Sequence, residues 1–358
     1  LAFKIMQAAI ENKELQRMGH LSWEWAEDFL DLVALGTIGD MMLLLGENRV
    51  LVKRGLWHVA HTKRLGLQKL IMQATAANAF LGKKNEIMNA QEVGYSIVPP
   101  LNAAGRMDHA SGAYKILTTR NTKEASELAD LLMKQNSEKQ RIVQRMMRGA
   151  ERAIEKLDFR KELVIFAGDP SWHLSLAGVV AGKLMDKYWR PVHIYRKDKK
   201  ESIGGARTIP GYDLVKSMTR CKRLLTKFGG HPAAAGWTCP NINLKKFKHC
   251  LAQYAKEVFP NGLPQKPLYA DFEILPANID TALVAMLKQF EPFGMRNERP
   301  RFLIRNFRLH DFETVGNKGK HLRMEFENEG KLVKGLWFRN GGQVKTMVKG
   351  AVFDVICE

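Results

Sequence analysis

The stretch FGGHPAAAG, Phe228–Gly236, sets two glycines, a histidine and a run of small residues side by side. Glycine reaches φ > 0 without penalty and carries no Cβ, so Gly229 and Gly230 can bring backbone N–H groups close to an anion while His231 adds a ring donor. The same letters also fit a tight strand-to-helix turn around a core histidine. Upstream, GGARTIPGYDL (Gly204–Leu214) places Arg207 between a glycine pair and a Pro-Gly turn. Further back, PPLNAAGRMDHA (Pro99–Ala110) sets Arg106 beside Gly105, with Asn102 four positions earlier. A guanidinium offers a fork of donors that matches phosphate oxygens. Each arginine alone reads as ordinary surface charge; three Gly/Ala-flanked basic sites in one chain point to an anionic ligand.

The composition agrees. Among 358 residues, 56 Lys and Arg face 37 Asp and Glu, a formal net charge of +19. That excess is more than solubility requires and fits a polyanion, nucleic acid first. A membrane partner is disfavoured, because the basic residues are spread along the chain and no apolar run reaches transmembrane length. The length suggests two or three domains. The four cysteines, Cys221, Cys239, Cys250 and Cys357, show no C-x-x-C spacing, so neither a disulfide nor a zinc site is expected, in keeping with a reducing cytoplasm. The chain opens on Leu1 inside a helical pattern and closes on a strand-like GAVFDVICE, so a longer parent protein is expected.

Five blocks in order carry a family resemblance: ALGTIGDMMLLLGENRVLVKRGL (Ala34–Leu56), LNAAGRM (Leu101–Met107), GGARTIPG (Gly204–Gly211), FGGHPAAAG, and FEPFGMRNERPRF (Phe290–Phe302). Together they resemble the RecJ family, single-stranded-DNA-specific exonucleases of the DHH phosphoesterase superfamily. The resemblance implies an α/β protein: residues 1–117 as the C-terminal part of a DHH domain, 118–157 as a connecting helix, 158–262 as a DHH-associated substrate-binding domain, and 268–358 as a truncated OB-fold β-barrel that binds single strands.

The residues themselves outline the same organisation. Before Leu117 the pattern reads as mixed helix and short strand. Asn121–Leu157 is proline-free and reads as one long helix, with Asn121 as N-cap and Glu124 completing a capping box. ELVIFAGD, LAGVVAGKLMDKY and RPVHIYR then alternate strand, helix and strand. Leu263–Pro267, with two prolines, reads as a linker. A helical patch at Ala282–Phe290 precedes alternating runs, FLIRNFRLHDF, HLRMEFEN and LVKGLWF, that suggest a small β-barrel.

Metal-dependent phosphodiester hydrolysis needs carboxylates and imidazoles that hold hard cations. Of the family's metal motifs only the fourth, G-T-x-x-D, is present, as Gly36, Thr37 and Asp40, which makes Asp40 the single metal-ligand candidate for a Mn²⁺ or Mg²⁺ pair. As a plain residue, Asp40 also reads as a helix cap. There is no Asp-His-His triplet, and His20, His58 and His61 lack ligand spacing, so the fragment alone is expected to be inactive. By resemblance Arg106 and Arg207, with Asn102 nearby, grip the strand backbone. Gly229, Gly230 and His231 cradle a phosphate by the scissile bond, and His231 serves as the catalytic donor steadying developing charge there. Gly205 stands where the family usually has serine. In the barrel, Phe302, Phe307, Phe312, Phe326, Trp337 and Phe338 are candidate stacking platforms, at least half of them expected in the core, and Lys318, Lys320 and Arg323 are backbone contacts or a charged hairpin turn. Single-stranded DNA is the implied ligand, with a helicase and a single-strand-binding protein as partners. Two alternatives stand: a non-catalytic single-strand binder, and a DHH phosphodiesterase for oligoribonucleotides or cyclic dinucleotides, the latter disfavoured by the barrel beginning near Tyr269.

Overall fold

The computed structural model describes residues 1–12, 14, 22–77, 88–155, 157–159, 161–328 and 330–358. Contacts divide the chain into two compact units. One holds Leu1–Thr62, Leu268–Glu358 and a segment ending at Tyr95; the other holds Ser96–Pro267 and a helix just before it.

The second unit begins with three helices, α5 (Leu65–Ala77), α6 (Val98–Met107) and α7 (Ser111–Thr118), packed on the first half of α8 (Thr122–Ile154). The buried residues of α8, Ala125, Ala129, Leu132, Asn136, Val143, Met146, Ala150 and Ile154, recur at helical spacing and hold one face inside. Asn121 caps the helix through the N–H groups of Lys123 and Glu124, at 2.9 and 3.1 Å. The reciprocal half of the expected capping box is missing. Glu124 accepts from the Thr119 hydroxyl, and the Asn121 N–H donates to Thr119 Oγ1 at 3.2 Å.

A five-stranded sheet follows, ordered β1 (Ile165–Gly168), β2 (Val192–Lys197), β3 (Glu201–Arg207), β5 (Ala234–Pro240), β4 (Lys227–His231), with only β1–β2 parallel. One face packs Ile165, Ala167, Val192 and Ile194 against α9 (Ala177–Tyr188) and the second half of α8. The other packs Phe166, Ala206, Trp237 and Cys239 against α10 (Leu214–Arg220) and α11 (Leu244–Val258). Buried on that second side, His193 lies among Phe166, Trp237 and Phe247, and neither ring nitrogen has a hydrogen-bond partner. Burial pushes its pKa down to about 3.

Cys221, at the end of α10, is disulfide-bonded to Cys250 of α11, with Cα atoms 6.1 Å apart. This corrects the expectation of free thiols. The pairing spans 29 residues and arises because two helices cover the same sheet face, which short-range spacing cannot reveal.

In the first unit, α1 (Ala2–Glu11), α2 (Trp23–Glu27), α3 (Leu30–Gly39) and α4 (Gly46–Ala60) are all helical, and no strand occurs among the described residues before Ile165. The expected short strands are therefore corrected. Brief apolar runs fit a buried helix as well as a strand, while FLDLVALGTIGD, with its apolar residues at helical spacing, forms α3. The C-terminal part has a small helix, α12 (Thr281–Lys288), and strands β6 (Phe272–Glu273), β7 (Phe302–Val315), β8 (His321–Asn328), β9 (Lys331–Trp337) and β10 (Val352–Cys357). They run β10-β7-β8-β9 with β6 beside β7, and register shifts fall within the β7–β8 and β10–β7 pairs. Ile304, Phe307, Leu309 and Phe326 form the core, with the Phe307 and Phe326 rings stacked at 4.9 Å. Among the described residues no helix is long and apolar enough to cross a membrane.

Candidate nucleic-acid interface

Strand register assembles the site. Arg207 at the end of β3 pairs with Ala234 of β5, which pairs with His231 of β4. Partners across a sheet share a face, so Arg207 and His231 stand in one row, with Cα atoms about 10 Å apart at the usual strand spacing. The next row on that face is all glycine: Gly205, Gly236 and Gly229. The row beyond is Ile203, Thr238 and Lys227. Three strands thus present a trough with a side-chain-free floor and basic residues along its edges.

Helix α9 covers one end of this trough and leaves the other open. A Cβ on Gly205 would stand 3.2 Å from the Gly178 nitrogen, whereas one on Gly229 would meet nothing within 4 Å. Gly236, Gly229, His231 and Lys227 are exposed. The Arg207 guanidinium lies over Gly178, 3.1 Å from where a Cβ would be, and donates to the Ala206 carbonyl at 2.8 Å. Because Gly178 is the second residue of α9, the positive end of that helix dipole lies at the guanidinium end of the trough, in a first turn without an acidic residue.

Arg106 joins Arg207 there. From the last turn of α6 it donates to the Ser175 carbonyl at 3.2 Å, and the Ser175 hydroxyl returns a bond to the Arg106 carbonyl at 2.8 Å. His173 Nδ1 lies 2.9 Å from the same hydroxyl. Lys139 reaches in from α8, donating to the Pro99 carbonyl at 3.0 Å. Its pKa is pushed down to about 8, first by burial and then by the charges of Arg106 and Lys183. Burial, and secondarily Arg106, holds Arg207 below its ordinary value. No described carboxylate pairs with Arg106, Lys139, Lys183 or Arg207. Like charges gathered without a counter-ion destabilise one another, and an anion bound among them removes that cost.

The structure thus brings Arg106, Arg207, Gly229 and His231 into one region, with Asn102 exposed one turn before Arg106 on α6. It revises how the glycines act. Only Gly230 has positive φ, at 143°, and a Cβ there would fall 2.4 Å from the Ala234 carbonyl oxygen. Gly229 and Gly230 lie within the β4–β5 hairpin, where successive N–H groups point to opposite sides, so they do not form the expected cradle of convergent donors. Gly229 contributes to the floor, and Gly230 lets the hairpin close.

Sequence reasoning misses Lys139, Lys183 and Ser175, and reads Gly236 as a small packing residue rather than as part of a floor. The available signal is Lys139, a charge on the same helical face as Asn136 and Val143.

Asp40 belongs to the other unit, where it ends α3 as an exposed C-cap whose N–H donates to the Gly36 carbonyl at 3.0 Å. No group of three or more His, Cys, Asp or Glu side chains able to hold a metal exists among the described residues. A Mn²⁺ or Mg²⁺ pair does not fit Asp40 alone. His61 stacks on Trp57 at 4.4 Å and is a packing residue, and His20 lies outside the described residues. On the C-terminal sheet, Phe302, Phe307 and Phe326 are buried and Phe312 partly so, while Trp337 and Phe338 are 42% and 51% exposed. Lys318 occupies the β7–β8 turn with φ 58°, and Arg323 is paired with Glu313.

Two family models match: a DHHA1 domain over residues 160–257 and a RecJ OB domain over residues 270–358. A cationic DHHA1 sheet followed by an OB domain defines the class, a DHHA1-containing protein with an appended RecJ-type OB module. Both domains, and most of the chain's length, are similar to RecJ proteins. It is 31% identical over 341 residues to the single-stranded-DNA-specific exonuclease RecJ of Bacillus subtilis, covering 94% of this chain and 42% of that protein. It is 30% identical to the protein of the same description from Haemophilus influenzae, covering 84% of this chain and 52% of the relative. The crystal structure of RecJ with Mg²⁺ from Thermus thermophilus matches with a TM-score of 0.72 at 28% identity, over 87% of this chain and 46% of that one. The Mn²⁺ complex of the same protein matches at 0.74 and 25% identity, over 92% and 49%. The chain spans about half the length of the relatives it matches.

Proposed function

We propose that this chain is the substrate-holding portion of a metal-dependent 5′-to-3′ exonuclease specific for single-stranded DNA, working in repair and recombination in the cytoplasm. The observation that carries this reading is the unpaired cation cluster of Arg106, Lys139, Lys183 and Arg207 at the head of a glycine-floored trough. A phosphate sits between the guanidinium groups, the strand backbone lies along the glycines, and His231 donates to charge developing on the phosphate beside it. The trough is narrow on the side closed by α9, which favours an unpaired strand over a duplex. Residues 158–262 act as the substrate-binding domain, 118–157 as the connecting helix, 1–117 as the remainder of the DHH domain, and 268–358 as a single-strand-binding OB domain whose Trp337 and Phe338 stack bases. The relatives crystallised with Mg²⁺ and Mn²⁺ support these ions for the parent enzyme, whose remaining ligands would accompany Asp40. A helicase and a single-strand-binding protein are the fitting partners, since both supply or present unpaired strands.

The chain alone is expected to bind without cleaving. In a salt series with a 5′-labelled oligonucleotide, binding should be tight, salt-sensitive and selective for the single strand, and Arg207→Ala with His231→Ala should weaken it about 30-fold, or roughly 2 kcal/mol. Equal, weak binding of single strand and duplex that the pair leaves unchanged would sink the reading. Degradation of labelled strands with Mn²⁺, lost in Asp40→Ala, would refute the expected inactivity. A second reading, a binding protein with no nuclease activity, draws on the lack of a metal-ligand cluster among the described residues. Metal motifs encoded in frame upstream of Leu1 would rule it out.

A further inference from the structure

The solvent side of α8 carries a second concentration of charge. Arg141, Arg145, Arg148 and Arg152 follow at intervals of four, three and four residues, and all are exposed. At about 100° per residue they fall within an arc of about 60° and form a ridge about 17 Å long. Lys134 continues the same line toward the N-terminus. Val143, Met146, Ala150 and Ile154, the buried residues of this half, lie on the opposite side of the helix, and Lys139 points to that side too. The ridge therefore faces away from the Arg106–Arg207 cluster.

Its charge is hardly neutralised. Arg141 makes an exposed pair with Glu138 at 3.6 Å, while no described carboxylate pairs with Arg145, Arg148 or Arg152. The helix dipole favours cations only in the last turn, so it explains Arg152 but not Arg141 or Arg145. Like charges three and four residues apart on a helix destabilise it. All four positions are arginine, whose planar fork binds phosphate oxygens two at a time, rather than the lysine and glutamate mixture that serves solubility.

We propose that this ridge is a second nucleic-acid contact, a sequence-independent track for phosphodiester groups on the side of α8 opposite the cluster. It rests on the single-strand reading above, and engages a strand too long to be held in the trough alone. Its affinity comes from counter-ion release, so the ridge adds salt dependence without adding base preference.

The test compares deoxythymidine oligonucleotides of about 6 and about 40 nucleotides by fluorescence anisotropy across a salt series. Three proteins are used: the chain, its R141Q/R145Q/R148Q/R152Q variant, and R207Q/H231A. Thermal melts check that each variant stays folded, the four ridge arginines being exposed and Arg207 half-buried. The ridge variant should bind the short strand like the parent chain and the long strand about 10-fold more weakly, with the logarithmic salt slope reduced by about 2 to 3. The R207Q/H231A variant should lose the short strand. Unchanged long-strand affinity and slope in the ridge variant would overturn the track while leaving the trough standing if R207Q/H231A still fails. Long-strand loss in the ridge variant with no effect of R207Q/H231A would keep the track and overturn the trough. Saturable binding of a polyglutamate peptide by the ridge, without any length-dependent DNA binding, would assign it to an acidic protein and overturn the proposal.

Discussion

The DHHA1 and OB regions differ in how much charge they carry and in how they treat it: residues 158–262 hold 19 Lys and Arg against 8 Asp and Glu, residues 268–358 hold 14 against 12. Around the trough, burial and then the charges of Arg106 and Lys183 lower the pKa of Lys139, burial and then Arg106 lower that of Arg207, and no described carboxylate pairs with any of the four. On the OB sheet several cations have an acid beside them. Arg305 contacts Glu273 and Asp354 at 3.0 and 3.2 Å, Arg301 contacts Glu358 at 3.3 Å, Lys349 contacts Asp311 at 2.6 Å, and Lys334 contacts Glu325 at 3.4 Å. Such exposed pairs add little stability, but they leave less field for an incoming phosphate. A net charge of +19 therefore does not say where a polyanion binds. The local excess of cations over acids does, and by that measure the OB sheet offers a phosphate backbone less than the trough.

The cores differ as well, and this gives the largest expected effect. The DHHA1 core holds His193, whose pKa is lowered to about 3, whereas the OB core of Ile304, Phe307, Leu309 and Phe326 holds no titrating side chain. Below its unfolded value of about 6.5, His193 takes a proton in the unfolded state but not in the folded one. Stability is therefore intact above pH 6.5 and falls on acidification by about 1.36 kcal/mol per pH unit toward pH 3. Urea titrations at pH 7 and 5 should show the DHHA1 sheet weakened by about 2 kcal/mol, with His193→Leu removing the loss. Equal acid sensitivity in the variant would place the labile group elsewhere.

Next comes steric occupation of the trough. A Cβ on Gly236 would approach only the Gly204 carbonyl, at 3.7 Å, so Gly236→Val should fold normally yet block the floor, weakening single-strand binding about 10-fold, or 1.4 kcal/mol. Full affinity would mean that the strand does not run over the glycines. A smaller effect is expected from Lys139. Its charge is lost as pH rises through about 8, so affinity should fall about threefold between pH 7 and 9, and Lys139→Arg should flatten that profile. The smallest effect belongs to the OB sheet, where Arg323, already paired with Glu313, should change affinity less than about twofold on substitution by Gln. A large loss there would erase the contrast between the sheets.

Much of this architecture can be read in the letters. The long helix, the β1–α9–β2 alternation and the OB strands follow from periodicity and from where proline and glycine interrupt it. Arg106 and Arg207 stand out because glycines flank them. The trough itself does not, because a row of Gly205, Gly236 and Gly229 exists only once three strands are set in register. Lys139 is hidden in a helix whose charges are mostly solvated. Cys221 and Cys250 are hidden because their helices meet through a shared sheet, not through nearby sequence. Asp40 shows the reverse: a motif recognised in sequence whose companions are not gathered among the described residues.

The place of β4 at the sheet's edge has a consequence for how the protein behaves in a crowded solution. An edge strand offers unpaired backbone groups to any neighbour, and a flat one invites stacking into fibres. Here the edge is five residues long, starts with the exposed Lys227 and reaches Gly230, whose φ of 143° departs from regular strand geometry. Two glycines out of five residues also give an intruding strand few side chains to grip. The features that leave room for a ligand on the sheet's face thus also discourage pairing along its rim, so a concentrated solution of the protein is protected from association at its most open strand.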